Sequence, residues 1–156
     1  MASLQAMRPD EASAFAARQL SDYITHRTAA GEDAEHARQH AESQYAQFFP
    51  GGAPAPGHRL YFVLDGESQV GTLWIGPAPD STDGKEWVYY VEVDEPLRGR
   101  GYGKAAMLLA EEDAASHGAA ELGLNVFGFN KRARGLYESL GYETMSLQMR
   151  KLLAGG

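Results

Sequence analysis

The sequence predicts a mixed α/β or α+β domain, on three observations. Two N-terminal segments repeat apolar residues at helical spacing. Three strand-like runs follow, the first two joined by a tight turn, and the chain then alternates helix, strand, helix, strand. That order implies a sheet that is antiparallel where hairpins join strands and parallel across a helical crossover.

After a short opening strand, Pro9 and Asp10 mark a helix start, and Ala16, Leu20, Tyr23 and Ile24 repeat at helical spacing up to Gly31. Ala34, Ala37, Ala41, Tyr45 and Phe48 give a second helix one apolar face, which Pro50 in PGGAPAPG ends. RLYFVL and QVGTLWI read as strands joined through DGES, where Asp65-Gly66 supplies hairpin chemistry. The loop GPAPDSTDG leads to a third strand, KEWVYYVEV. Gly101 to His117 is rich in helix formers and stops at Gly118. In ELGLNVF the period returns to two through Leu122, Leu124 and Val126. Asn130 caps a last helix with the stripe Ala133, Leu136, Tyr137, Leu140; Gly141 ends it, and alternating Met145, Leu147 and Met149 predict a closing strand.

With 156 residues, 44% of them hydrophobic and 22% charged, the chain is sized for a single domain over 1–156 that buries a core without a disulfide or structural metal. Cysteine is absent, which excludes a thiolate nucleophile and a zinc ribbon and suits the cytoplasm. No apolar run approaches the ~18 residues of a membrane span, and MASLQAMRPDEAS lacks the core of a signal peptide. A net charge of -7 argues against general nucleic-acid binding. Residues 1–95 carry 15 acids and 6 bases, whereas 96–156 carry 6 acids and 8 bases. A cationic ligand near the first part and an anionic one on the second is the simplest functional reading.

RGRGYGKA, Arg98 to Ala105, sits between a strand and a helix start, where unpaired amides and the helix dipole favour an anion. One exposed charge at a dipole gains only about 0.3–1 kcal/mol, so amides must act together with Arg98, Arg100 and Lys104. A P-loop reading fails, because its first glycine would fall on Arg98 and Ala105 has no hydroxyl for magnesium. A dinucleotide fingerprint fails too, since the glycines fall at 99, 101 and 103 and Lys104 stands where another is needed.

What fits is R-x-x-G-x-G, and here the sequence resembles the GNAT superfamily of N-acetyltransferases. NKRARGLYESLGY adds the family's second pattern through Asn130, Ala133, Tyr137, Leu140, Gly141 and Tyr142. The motif match covers roughly residues 87–150. The resemblance implies a GNAT-like fold, a mixed, mostly antiparallel sheet of about six or seven strands with about four helices and a splayed strand pair at the coenzyme A site. It also implies acetyl-CoA as cosubstrate, with no metal. Amides and side chains of Arg98, Gly99, Arg100, Gly101, Tyr102, Gly103 and Lys104 would hold the phosphates. The backbone of Val91 and Val93 would pair with the pantetheine arm, and Asn130 would bond that arm or simply cap its helix.

The implied reaction is acetyl transfer to a primary amine. An amine of pKa about 10.4 is only about one part in 10³ neutral at pH 7, a penalty of roughly 4–5 kcal/mol that a base should offset. Glu92, between Val91 and Val93, is the first candidate base and Glu86 the second. A carboxylate paired with an arginine is the other reading of Glu92, and an exposed strand end that of Glu86. Some relatives carry a catalytic glutamate where this chain has Asn125, so deprotonation through water stays open. The family's tyrosine, Tyr137 here, is the candidate proton donor to the departing thiolate, or else a core tyrosine. His36 and His40 lack the glutamate of a zinc helix and read as a solvated face. Trp74, Trp87, Tyr89 and Tyr90 line either an acceptor pocket or the core. The expected activity is N-acetylation of a small cationic molecule. A protein lysine or N-terminus, and a non-catalytic coenzyme A sensor, are the alternatives. The expected partners are acetyl-CoA and the amine, with a homodimer left open and neither nucleic acid nor membrane among them.

Overall fold

The computed structural model describes residues 1–79 and 83–154. Residues 80–82, in the middle of the loop expected between the second and third long strands, lie outside the described residues. By backbone packing the chain divides into two units, Met1–Asn125 and Val126–Gly156.

In the first unit, β1 (Ala2–Ala6) leads to α1 (Pro9–Ala29). Pro9 takes a first-turn position where its missing N–H costs nothing, and the Arg8 N–H donates to Glu11 Oε1 at 2.9 Å. Gly31 stops the helix with φ 102°. The second helix, α2 (Ala34–Phe48), is capped by Asp33, whose Oδ2 accepts from the His36 N–H at 3.0 Å. Its Ala37 and Ala41 are fully buried, small residues that let a neighbouring element approach.

The strands β2 (Arg59–Asp65), β3 (Ser68–Pro77), β4 (Lys85–Val93) and β5 (Glu121–Leu124) join β1 in one sheet of order β1-β2-β3-β4-β5, with α3 (Tyr102–Ser116) between β4 and β5. The first three pairings are antiparallel and β4–β5 is parallel, as the helical crossover requires. Gly71 is needed by crowding: a Cβ there would lie 2.3 Å from the Glu92 carbonyl oxygen on the facing strand.

Helices cover both faces of this sheet. Phe15 of α1 meets Trp74 and Tyr90 edge-on, with ring centroids 6.2 and 5.5 Å apart, and Ala12, Ala16, Phe49 and Leu60 complete that cluster. On the other face Asp113 of α3 accepts from Arg59 Nε at 2.9 Å and from Tyr61 Oη at 2.8 Å. Leu60 facing α1 while Arg59 and Tyr61 face α3 is ordinary strand alternation.

A bulge in β4 breaks that alternation. Trp74 pairs with Tyr90 and Ile75 with Val88, so Tyr89 is the extra residue. Side chains before it keep one parity and those after it take the other. Glu86 therefore lies on the α3 face, whereas Tyr90 and Glu92 lie on the α1 face beside Phe15. The parallel pairing with β5 also ends at the bulge, at Val88 with Leu124.

The second unit holds α4 (Lys131–Ser139). Asn130 caps it through Oδ1, which accepts from the Ala133 N–H at 3.2 Å, and Gly141 ends the turn with φ 98°. The closing strand expected around Met145, Leu147 and Met149 is not formed: the segment has no regular structure, and these side chains are 87%, 70% and 86% exposed. Among the described residues the sheet thus has five strands rather than six or seven. A period-two pattern says which side chains share a face, but a strand also needs a neighbour for its backbone groups.

Candidate active site

Beyond Val93 the chain passes through Asp94 and a short turn at Glu95–Leu97 to Arg98. Gly99 and Gly101 both adopt left-handed backbone, with φ 82° and 86°, which only glycine takes without strain. A Cβ on Gly101 would meet nothing within 4 Å, so its glycine answers to backbone angle and the space beside it is open. The first α3 backbone bond is from the Ala105 N–H to the Gly101 carbonyl at 3.1 Å. The amides of Tyr102, Gly103 and Lys104 accordingly have no partner within the helix, and Gly101 has no side chain to cap them. The geometry fits an anion.

The side chains of this loop diverge. Arg100 and Lys104 are exposed and form no ion pair among the described residues. Tyr102 turns away to Asp65, donating to Oδ2 at 2.6 Å, and this bond raises the phenol's pKa while lowering the carboxyl's. Arg98 reaches back to β4: Nε donates to the Val93 carbonyl at 2.9 Å, and Nη2 lies 3.5 Å from Glu92 Oε1.

From Tyr89 to Val93 the β5 side of β4 has no strand partner among the described residues. The Asp94 N–H donates to Val70 on β3 at 2.9 Å, and the Glu92 carbonyl crowds Gly71. Alternation then turns the backbone groups of Val91 and Val93 to the open edge. Among the described residues this stretch of β4 therefore presents an unpaired edge, where the sequence leads us to expect a splayed strand pair. The Val93 carbonyl there is occupied by Arg98.

On the α1 face, Glu92 borders a pocket of about 290 Å³. Arg18, Gln19 and Asp22 line it from one side of α1, Thr72 and Tyr90 from the sheet, and Asp94 from just beyond β4. Tyr90 Oη donates to Glu92 Oε2, and burial, followed by this bond, raises the phenol's pKa. Three acids and one arginine give the lining an excess of negative charge.

Glu86 is elsewhere. Both its oxygens accept from Arg59, at 3.0 and 2.6 Å, in a network with Asp113 whose three charged side chains are only 12–15% exposed. Burial, then the bond to Asp113, pushes Tyr61 up to about 12. Across the sheet Trp74 is core, stacked on Tyr89 at 4.9 Å, and Trp87 covers Gly123, where a Cβ would lie 2.6 Å from the indole. Asn125 ends the first unit as an exposed residue. His36 and His40 are exposed on α2, and among the described residues no three His, Cys, Asp or Glu side chains could hold a metal ion.

In the second unit Tyr137 is half-buried, its ring 6.0 Å from that of Tyr142, and burial raises its pKa. Asn130 uses Oδ1 in the α4 cap. The arginine pairing given as the other reading of Glu92 is present, with Arg98; what sequence reasoning missed is the rest of its company, Tyr90 and the α1 residues Gln19 and Asp22. Their only advance signal is the spacing of Phe15, Gln19 and Asp22 along one side of a helix.

Residues 20–142 match the acetyltransferase (GNAT) family model. The chain belongs to the GNAT family. It is 33% identical over 120 residues to the uncharacterized N-acetyltransferase YycN of Bacillus subtilis (strain 168), covering 76% of this chain and 77% of that protein. The crystal structure of YycN superposes with a TM-score of 0.82 at 30% identity, over 98% of this chain and 99% of that one. A second uncharacterized N-acetyltransferase of the same organism, YdgE, is 27% identical over 153 residues, 97% of this chain and 98% of its own. The protein is thus an acyltransferase of the GNAT fold, with N-acetyltransferase activity, in a family that uses acetyl-CoA. No helix among the described residues is long and apolar enough to cross a membrane.

Proposed function

We propose that the protein, as one catalytic domain, transfers the acetyl group of acetyl-CoA to the primary amine of a small cationic molecule by direct attack on the thioester. One observation carries this reading: an acid-lined pocket and an anion cradle flank the same end of β4, on either side of Glu92 and Val93. The pocket's lining, with three acids and one arginine, suits a cationic amine. The absence of cysteine fits a reducing, cytoplasmic setting.

In this reading the amides of Tyr102, Gly103 and Lys104, with Arg100 and Lys104 side chains, hold the phosphates, and Gly99 and Gly101 shape the turn. Val91 and Val93 extend the sheet onto the pantetheine arm, and Asn130 meets it with the amide nitrogen not used in its cap. Glu92 takes a proton from the ammonium, directly or through water; Glu86, held at both oxygens by Arg59, has a structural part. The amine nitrogen then bonds to the thioester carbon, the C–S bond breaks, and Tyr137 donates the proton that the leaving thiolate takes up; the second proton, shed by the nitrogen as the amide forms, returns the phenolate to phenol through water, and Glu92 releases the first to solvent. A phenol whose pKa is raised by burial keeps that proton at neutral pH.

The test is thiol release from acetyl-CoA across polyamines, aminoglycosides, amino acids and peptides. Turnover on small cationic amines supports the reading. Turnover on peptides alone overturns the acceptor class. Tight coenzyme A binding with no turnover on any amine overturns catalysis.

A further inference from the structure

We propose that Arg98 is a positioning residue for Glu92, acting together with Tyr90, and not a phosphate ligand; this rests on the acetyl-transfer reading above. Resemblance alone sends every cation of the loop to the phosphates. The geometry divides them. Arginine recognises phosphate best through a two-nitrogen edge, and the Nε/Nη2 edge of Arg98 is already directed at the last two residues of β4, the Val93 carbonyl at 2.9 Å and Glu92 Oε1 at 3.5 Å. Arg100 and Lys104 carry no such commitment.

Glu92 is held from its other side as well. Tyr90 Oη donates to Oε2, and Tyr90 lines the same pocket as Gln19 of α1. The carboxylate is therefore contacted at both oxygens, by a hydrogen bond from a strand residue that lines the acceptor pocket and by a 3.5 Å ion pair from the first residue of the donor loop. The β4 bulge makes this possible, because it brings Tyr90 and Glu92 to the α1 face two residues apart. Stability does not explain the arrangement. Arg98 and Glu92 side chains are 49% and 46% exposed, and exposed ion pairs add little to folding. Geometry is what the contacts supply: a base must face its proton in a fixed pose, and a contact at each oxygen restricts a carboxylate more than one alone.

The experiment compares Arg98→Met, Arg98→Lys and Tyr90→Phe, alone and with Glu92→Gln, using the best amine from the panel and coenzyme A itself as binding probe. Positioning predicts that Arg98→Met lowers kcat by about tenfold while coenzyme A Kd changes less than about threefold, and that Tyr90→Phe acts alike. Arg98→Lys, which keeps a cation beside Glu92, should recover part of kcat. In the Glu92→Gln background neither Arg98→Met nor Tyr90→Phe should cost more, since both act through that carboxylate. A phosphate ligand behaves otherwise: coenzyme A Kd rises about ten- to a hundredfold, kcat holds, and the loss is equal in both backgrounds. That outcome overturns the assignment. If Arg98→Met fails to fold, the Arg98→Lys and Tyr90→Phe arms decide by the same criteria. A wild-type enzyme that acetylates no amine sinks the underlying reading and this one with it, whereas a normal wild type with ligand-like variants sinks this one alone.

Discussion

Glu92→Gln is the most informative single change, because glutamine preserves size and can still accept from Tyr90 but cannot take a proton. General-base catalysis contributes about 10²–10⁴-fold. A carboxylate whose side chain is 46% exposed, with water as a competing base, belongs at the lower end. The expected loss in kcat/KM at neutral pH is therefore about a hundredfold, equivalent to about 2.7 kcal/mol of the roughly 4–5 kcal/mol needed to deprotonate an amine of pKa near 10.4. The pH dependence has a definite sign. As pH rises toward the amine's own pKa, more of the substrate arrives neutral and the base matters less, so the deficit should narrow steadily. The assay is continuous thiol detection with saturating acetyl-CoA across that pH range, alongside thermal melting to show that the variant is folded. A folded Gln variant with wild-type kcat/KM at neutral pH would refute the role of Glu92, and a deficit constant with pH would refute deprotonation as its cause.

Tyr137→Phe should lower kcat by about ten- to a hundredfold with little change in coenzyme A affinity, since the phenol acts on the leaving thiolate; steady-state rates and calorimetric titration read both. Asp22→Asn should raise KM for a cationic amine severalfold, by roughly 1 kcal/mol of lost attraction, and the difference should shrink in high salt. Arg59→Met leaves the Glu86 and Asp113 carboxylates facing each other at 12–13% side-chain exposure. Urea unfolding should show a loss of about 3–5 kcal/mol, and a loss below about 1 kcal/mol would contradict the structural role given to Glu86. Gly101→Ala forces a side chain to φ 86° and should cost about 1–2 kcal/mol in stability while weakening coenzyme A binding.

Much of this was legible in the chain because local chemistry decided it. Pro9, Asn130, Gly31 and Gly141 mark helix ends as caps should, and the glycines of the loop marked a strand-to-helix junction. The bulge at Tyr89 was not legible. VYYVEV carries no breaker residue, and only pairing with β3 reveals that one residue is extra, which puts Glu86 and Glu92 on opposite faces although an even number of residues separates them. The closing strand failed for a related reason, since Met145, Leu147 and Met149 specify a face without a partner. Arg98 and Tyr102 show the limit of motif reading: spacing identified the loop but not the partners of its side chains, Val93 and Glu92 at the end of the preceding strand for one and Asp65 of β2 for the other.

Parallel quantification of coenzyme A thiol and acetylated amine, using the wild-type protein with acetyl-CoA and a small polyamine, tests the proposed activity most directly. Thiol and acetylated polyamine should accumulate in equal amounts and well above the uncatalysed rate. Coenzyme A binding without either product, for the polyamine and every other amine of the panel, would contradict it.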